Sequence, residues 1–198
     1  HNSDRRQRQM CIRDRVYGGK LKDAQIPRFG MNFTIPKEYS DVVWYGRGPH
    51  ENYIDRKSSA FVGLYGSSVE DLGFDYSRPQ ENGYRTDVRW FKISNKDKIG
   101  FEIRGEPLIS FSAHYNTIED FDDGLIPQKA GEKLAVRQRL VKMQRKPVDV
   151  QKRDFISLNI DLKQMGVGGD NSWGARTLPK YTINPGNYSY SFTIIPFN

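Results

Sequence analysis

The stretch Phe155-Ile156-Ser157-Leu158-Asn159-Ile160-Asp161-Leu162-Lys163 decides the fold class, because apolar and polar side chains alternate along it from Ile156 onward. Successive side chains of a β-strand point to opposite faces, so a period of two is typical of a strand with one apolar face. The strand leads directly into Met165-Gly166-Val167-Gly168-Gly169-Asp170-Asn171-Ser172-Trp173-Gly174. Glycines and short polar side chains favour a tight turn, which would hold the Trp173 indole in a fixed place.

Short alternating or apolar runs recur along the chain, separated by Gly, Pro and Asn turn signals. They are Phe29–Ile35, Val42–Tyr45, Ala60–Tyr65, Val88–Ile93, Ile99–Ile103, Leu108–Ala113 and Tyr188–Ile194. We expect Gly105-Glu106-Pro107 to be a turn between two of these strands. The spacing of the runs predicts an all-β sandwich or barrel of half-buried antiparallel strands, with no alternating βαβ units.

The N-terminal tail and the basic segment at about 132–147 do not follow this alternating pattern. Residues 1–15 have no apolar period and are predicted to be a disordered tail; Met10–Arg15 also resembles a translated sequencing adapter, so we set residues 1–15 aside as disordered or artefactual. Val136, Leu140 and Met143 follow a helical spacing that ends at Pro147, which predicts a short helix within a basic insertion at about 132–147. No apolar run has the length of a membrane helix, so we expect a soluble chain.

The formal net charge of +7 on 198 residues is concentrated in two places. Residues 1–28 and residues 132–146 each carry +5, so the remainder carries −3. A slightly acidic body with two basic segments argues against a nucleic-acid-binding face. The single Cys11 excludes an internal disulfide.

Two polar clusters contain the candidate acid, base and metal-binding groups. In the first cluster, Gly46–Arg56, His50 stands beside Glu51 and Asp55, but the spacing fits no metal-ligand pattern. We favour a structured loop in which Asp55 and Arg56 pair with backbone or with each other and Tyr53 packs with its hydroxyl bonded. In the second cluster, Arg78–Asp87, Asn82-Gly83 signals a turn.

The second cluster also contains a carboxylate, Glu81. Glycoside hydrolysis needs two carboxylates, and nothing in the sequence pairs Glu81 with a second one, so we favour a buried network with Arg85 or Arg89. His114 lies at a strand end and is expected to be a hydrogen-bonded partner, not a general base. No serine lies in a G-x-S-x-G motif. The exposed indole that the glycine-rich turn would present suits stacking on the C–H face of a sugar, although packing on its own core remains the alternative.

Three separated motifs carry a family resemblance. Trp44–Tyr53, Arg78–Gly83 and Asp161–Trp173, in this order, closely resemble the C-terminal (small chain) domain of large bacterial β-galactosidases of glycoside hydrolase family 2. The resemblance covers about residues 26–197. It implies a large antiparallel β-sandwich (a supersandwich) similar to the galactose mutarotase-like fold. It also implies a parent enzyme that hydrolyses terminal β-galactosides with catalytic glutamates on a separate (β/α)8 barrel of the same polypeptide.

The resemblance assigns one site residue in this chain, Trp173, which would contact the sugar from this domain. It implies no catalytic residue and no metal or cofactor site here, because the Mg and Na ions that family enzymes often use are bound elsewhere. It further implies a galactoside substrate, a homo-oligomer at full length, and no nucleic-acid or membrane partner. The compartment stays open between bacterial cytoplasm and periplasm.

The chain also departs from the family. The basic insertion replaces a short connection that often contains histidines, and the earlier strands of the domain are expected to be missing, which makes residues 16–198 a partial domain. Two other functions remain open: a stand-alone carbohydrate-binding domain, and a mutarotase-like epimerase that would use His50 or His114 with a carboxylate. A missing strand would leave an unpaired sheet edge, so we expect poor solubility of the isolated chain.

Overall fold

The computed structural model describes residues 8–16, 25–121, 124–125, 142–143, 146–168 and 175–198. The strands are β1 (Arg8–Val16), β2 (Arg28–Pro36), β3 (Asp41–Gly48), β4 (Phe61–Ser68), β5 (Arg85–Ser94), β6 (Gly100–His114), β7 (Gly124–Leu125), β8 (Lys142–Met143), β9 (Phe155–Gln164) and β10 (Gly186–Phe197). Two short helices, α1 (Val69–Leu72) and α2 (Ile118–Phe121), and the 3-10 turns Pro147–Asp149 and Pro179–Tyr181 complete the described elements. None of the described helices is long and apolar enough to cross a membrane.

Eight of the strands form one antiparallel sheet. Its main path is β1-β10-β6-β5-β3-β4, and β9 pairs with both β6 and β2. The long strand β6 divides the sheet, because its first part, Gly100–Glu106, pairs with β10 and its last part, Ser110–His114, pairs with β9. The strands β7 and β8 pair with each other in a separate two-stranded sheet.

Two groups of strands extend from β6: β10 with β1, and β9 with β2. These two groups pack against each other around an apolar core. The Phe29 ring on β2 lies 5.2 Å from the Tyr188 ring and 5.9 Å from the Tyr190 ring of β10, measured between centroids. The Tyr190 hydroxyl donates a 2.7 Å hydrogen bond to the Ile160 carbonyl on β9. Sheet therefore packs on sheet, and the prediction of an all-β, antiparallel, sandwich-like fold is confirmed.

The core is filled by the apolar sides of the strands. Fully buried side chains come from β3, β5, β6, β9 and β10, and they include Trp44, Phe91, Ile93, Ile103, Ile109, Phe111, Ile156, Leu158 and Phe192. The Phe91 and Phe111 rings stack at 4.4 Å between centroids. The alternation that predicted strands therefore also predicts which side chains enter the core.

The turn expected at Gly105-Glu106-Pro107 is wrong, because β6 continues through it. Pairing with β10 ends at Glu106 and pairing with β9 begins at Ser110, and the register with β5 shifts in the same region. Pro107 thus occupies a place where the ladder needs no N–H donor, and this is where a strand tolerates proline.

Residues 8–15 were predicted to be a disordered tail, and they form most of β1 instead. Each residue from Arg8 to Val16 has a pairing partner on β10. A ladder of backbone hydrogen bonds does not need an apolar face, and Ile12 packs against the core. The predicted helix falls mostly outside the described residues; at Lys142–Met143, which the structure describes, the chain is strand β8. The rest of the basic insertion lies outside the described residues.

Candidate functional site

The polar face of β9 is buried, in contrast to the half-buried strand that its alternation predicts. Ser157, Asn159 and Asp161 are 4%, 3% and 0% exposed. The Asn159 amide donates to the Ser112 hydroxyl at 3.0 Å, and its carbonyl oxygen accepts from Asn32 at 2.9 Å. Buried polar groups require such partners, so the sheet carries a polar layer on the side opposite the apolar core.

Asp161 is the centre of this polar layer. Its carboxylate lies 2.9 Å from Arg28 Nε and accepts a 3.0 Å hydrogen bond from the Tyr84 hydroxyl. Gly30 on β2 is paired with Asp161, and a Cβ added at Gly30 would lie 1.9 Å from Asp161 Oδ1. Burial raises the pKa of Asp161 to about 7, although the Arg28 guanidinium and the Tyr84 hydroxyl act in the opposite direction.

Glu81 belongs to the same network. Arg28 Nη2 donates to Glu81 at 3.0 Å and to Gln164 at 2.6 Å. Burial raises the pKa of Glu81 against the opposing effect of Arg28. The prediction of a buried network is therefore confirmed, but the predicted cations Arg85 and Arg89 are wrong. The partner is Arg28, which tertiary structure brings from 53 residues away.

Arg85, one of the two predicted cations, packs on the Trp44 ring instead. Its guanidinium carbon lies 5.3 Å from the centroid of the Trp44 ring. Burial lowers the pKa of Arg85 to about 10, although the Glu51 carboxylate and Tyr53 act in the opposite direction. Arg85 therefore forms part of the packing around the core tryptophan.

Glu51 joins the two polar clusters. Its carboxylate accepts a 2.7 Å hydrogen bond from the Gly83 N–H, a 2.5 Å hydrogen bond from Arg56, and a hydrogen bond from the Tyr76 hydroxyl. Gly83 has a φ of +72°, as the predicted Asn-Gly turn requires. Tyr53 is fully buried and its hydroxyl donates to Glu51 at 3.3 Å, so the structured-loop interpretation is confirmed for this residue.

Asp55 joins the first cluster to the glycine-rich turn. Its Oδ2 accepts a 2.7 Å hydrogen bond from the Gly168 N–H. A Cβ at Gly166 would lie 2.6 Å from the Asp55 carboxyl carbon, so a larger residue there would displace the carboxylate. The Thr177 hydroxyl lies 2.8 Å from the carbonyl oxygens of both Gly166 and Gly168. The predicted pairing of Asp55 with backbone is confirmed.

The candidate substrate-binding residue, Trp173, lies outside the described residues, as do the other residues from 169 to 174. The structure describes the two ends of this loop. Met165 N–H donates to the Pro27 carbonyl at 2.9 Å, and Gly166 N–H donates to the Tyr181 carbonyl at 2.8 Å. Together with Asp55 and Thr177, these bonds fix the base from which the Trp173 loop departs.

The two candidate histidines are not placed together. His50 is exposed and its Nε2 lies 3.0 Å from the Ser59 hydroxyl. His114 is the hydrogen-bonded partner that the sequence predicts, with its Nε2 2.9 Å from the Asn82 carbonyl oxygen. Burial lowers the pKa of His114, although the bond to Asn82 acts in the opposite direction.

His114 and Glu81 do line one common cavity, between β6, β9 and α2. Its volume is about 10 Å³, which is room for about one water molecule and not for a hexose. This cavity therefore gives no support to an epimerase that would act on a sugar between His114 and Glu81. Among the described residues, no three His, Cys, Asp or Glu side chains group as metal ligands.

Sequence reasoning missed Arg28 and Asp161 as a buried ion pair, and it missed the part that Thr177 plays at the turn. A signal for Asp161 was present, since a carboxylate in the middle of the most regular strand needs a partner if that face is covered. Arg28 and Thr177 carry no such signal, because they reach the site only through tertiary structure.

Comparison with known protein families identifies the chain. The family model described as β-galactosidase small chain matches residues 6–194, a span that includes most of the tail set aside above. The chain is 39% identical over 173 residues to a β-galactosidase of Priestia megaterium and 32% identical over 169 residues to one of Vibrio cholerae. It is 29% identical over 184 residues to a β-galactosidase of Streptococcus thermophilus.

These three alignments cover 85 to 92% of this chain but only 14 to 16% of the relatives. The matched span, residues 6–194, includes all three sequence motifs. The chain belongs to the β-galactosidase small chain family.

Proposed function

We propose that this chain is a non-catalytic part of a β-galactosidase, in which Trp173 contacts the galactoside at an active site that a separate catalytic barrel supplies. Family membership supports the parent activity, since the relatives are β-galactosidases of which this chain matches about one seventh. The substrate would be a terminal β-galactoside, and this domain would contact the barrel of the same polypeptide.

The contact between Asp55 and Gly168 carries the proposal. It ties the glycine-rich turn to the first polar cluster, while Thr177 holds the carbonyls on the other side of the turn. A loop with a fixed base can hold an aromatic ring in one orientation at low entropic cost. Such a ring stacks well on the apolar face of a sugar and positions it for a reaction carried out by other groups.

The engagement of the carboxylates supports a non-catalytic role. Retaining glycoside hydrolysis needs two carboxyl groups that face the same sugar. In the two polar clusters, Glu51, Asp55, Glu81 and Asp87 each bind a protein donor, as does Asp161 on β9. Asp87, for example, accepts from Lys57 at 2.8 Å and from Arg47 at 2.5 Å. Structural carboxylates of this kind are poor candidates for an acid and a nucleophile.

The experiment is Trp173→Ala in the full-length parent enzyme. We expect KM for a β-galactoside to rise more than about tenfold, because the loss of a stacked aromatic weakens substrate binding. Trp90→Ala is the matched control, since Trp90 lies on the outer face of the sheet, 6.3 Å from the Tyr45 ring. An unchanged KM in Trp173→Ala would refute the assignment.

The proposal that the barrel and not this chain carries out the hydrolysis has a separate test. The purified chain alone is expected not to cleave a chromogenic β-galactoside, because both catalytic carboxyls would lie on the barrel. Clear turnover by the pure chain, above the level of a mock purification, would contradict this division even if Trp173 binds the sugar.

A further inference from the structure

A second candidate binding site borders the second polar cluster at Pro79 and Asn82. We call it the α1 cleft: it is bordered by α1, by residues 73–76 and by the end of β6 with residues 114–116. Its volume is about 420 Å³, which falls in the range of small-ligand pockets. Nothing in the proposed role of Trp173 uses it.

An exposed aromatic ring stands in the wall of the cleft. Phe74 is 59% exposed and is not among the side chains of the core cluster. Its ring lies 4.6 Å from the Tyr76 ring, and its N–H donates to the Asn82 side chain at 3.1 Å. Tyr76 is tied in turn to Glu51 and Arg56. The Tyr76 ring and the Asn82 side chain therefore hold Phe74 in place, while the Phe74 ring stays exposed to the cleft.

Two hydrogen-bond acceptors border the same space. Asp75, next to Phe74, acts electrostatically on Lys152 and forms no hydrogen bond or ion pair with a described residue. The second acceptor is His114. A carbonyl oxygen can only accept, so the contact with Asn82 places the proton on Nε2 and leaves a lone pair on Nδ1. Nδ1 borders Gly73, where a Cβ would lie 3.6 Å from it.

The remaining charges decide the class of ligand. Lys152 is held by both oxygens of Glu70, at 2.6 and 2.7 Å, so the two charges compensate each other. The carboxylates of Asp71 and Asp75 disfavour an anion. A cation is the competing ligand, and the tetramethylammonium titration described below distinguishes it from a sugar. What remains is an aromatic face beside acceptors that need donors. A neutral ring with hydroxyl groups on its rim and an apolar C–H face matches this arrangement.

We propose that the α1 cleft binds a neutral saccharide, which stacks on Phe74 and donates hydroxyl hydrogen bonds to Asp75 and to His114 Nδ1. This site is separate from the Trp173 loop and would hold a sugar without acting on it. It would give the domain a carbohydrate-binding function of its own, whatever the parent active site does.

The test is a titration of the chain with methyl β-galactoside and with methyl β-glucoside. Binding is measured by calorimetry and by NMR of the His114 ring. We expect the His114 resonances to shift with saturation, and Phe74→Ala to weaken binding roughly three- to tenfold, the range expected for one aromatic contact. Asp75→Asn should weaken it as well, with the exposed Phe74 platform intact. Phe61→Ala is the matched control, because Phe61 is 74% exposed on β4, away from the cleft.

Trp173→Ala separates this proposal from the function proposed above. Binding that survives Trp173→Ala and is weakened by both cleft variants supports the α1 cleft. Binding that is lost in Trp173→Ala but unchanged in Phe74→Ala and Asp75→Asn would place the sugar at the Trp173 loop and overturn the proposal. Saturable binding of tetramethylammonium without binding of either glycoside would also overturn it, as would no binding at all by the folded wild-type chain.

Discussion

At the scale of single residues, Asp55 has a role that its neighbours in sequence do not reveal. It accepts a hydrogen bond from Gly168, 113 residues away. The glycines at 166 and 168 leave room for the carboxylate against the backbone of the turn. If Trp173 contacts the substrate as proposed, Asp55 would be a positioning residue for its loop, and its effect on a substrate would be transmitted through that loop.

The first prediction concerns this contact. In the full-length parent enzyme, Asp55→Ala should raise KM in the same direction as Trp173→Ala, because the base of the loop loses a charge-assisted hydrogen bond worth about 1.5 to 3 kcal/mol. The two changes should not be additive in a double-mutant cycle. Asp154→Ala is the control, since Asp154 is exposed and, among the residues that the structure describes, pairs with Lys37 alone. Additive effects would mean that Asp55 does not act through the Trp173 loop.

Asp161 leads to a prediction about pH. Its pKa is raised to about 7 by burial, whereas in an unfolded chain an aspartate titrates near 4. Between about pH 4 and pH 7 the folded protein therefore holds a proton that the unfolded chain has released. The contribution of Asp161 to stability falls as the pH rises through this window and is constant above it.

The measurement is urea unfolding of the wild type and Asp161→Asn at pH 5 and pH 8. The free energy of unfolding of the wild type should fall from pH 5 to pH 8 relative to that of Asp161→Asn, which cannot titrate. The comparison between the two proteins removes the contribution of His114, whose lowered pKa acts in the opposite direction. Parallel pH profiles for the two proteins would contradict the prediction, and Asp154→Asn provides the exposed control.

At the scale of elements, β2 and β9 depend on one glycine. The register between them shifts between Phe29 and Gly30, and a Cβ at Gly30 would lie 1.9 Å from Asp161 Oδ1 and 2.7 Å from its Cα. The clash involves the backbone of β9 as well as a side chain, so a rotamer change cannot relieve it. The polar layer and the strand pairing are therefore linked through this position.

We expect Gly30→Ala to destabilise the fold by about 1 to 3 kcal/mol, the usual cost of overpacking. Gly66→Ala on β4 is the matched control, because the nearest atom to its added Cβ lies at 3.8 Å. It should be neutral or slightly stabilising, since alanine restricts the unfolded chain. Equal unfolding midpoints for the two variants in urea would refute the close approach of Asp161 to β2.

At the scale of the whole molecule, β4 ends the main path of the sheet and exposes apolar side chains. Phe61 is 74% and Leu64 66% exposed, and Val43 and Tyr45 lie on the neighbouring strand with 39% and 41%. An edge strand with unpaired backbone groups and apolar side chains is a template for association. We expect the poor solubility predicted for the isolated chain to arise at this edge.

The prediction for this edge is that Leu64→Lys raises the concentration at which the purified chain begins to aggregate. A lysine on an edge strand opposes pairing with another copy through charge and hydration. Light scattering against concentration measures the effect, and Leu178→Lys, at a loop position that is 45% exposed, is the control. The same aggregation threshold in wild type and Leu64→Lys would locate the association elsewhere.

Much of the fold could be predicted from sequence, because period-two alternation reports directly which residues share a face of a strand. It predicted the strands around Phe29–Ile35, Val88–Ile93 and Phe155–Lys163. It failed at Pro107, where pairing partners change within one strand, and at β1, where backbone pairing replaces an apolar pattern. The backbone ladder leaves little trace in side-chain composition.

By itself, the sequence determined the all-β class, the apolar core positions and the three motifs that mark the β-galactosidase small chain family, because these depend on local period and order. Only tertiary structure decided that Arg28 pairs with Asp161 and Glu81, that Asp55 holds the glycine-rich turn, and that Phe74 and His114 border one cleft. Each of those contacts joins residues far apart along the chain. Their partners are chosen by strand order and register, which no local pattern encodes.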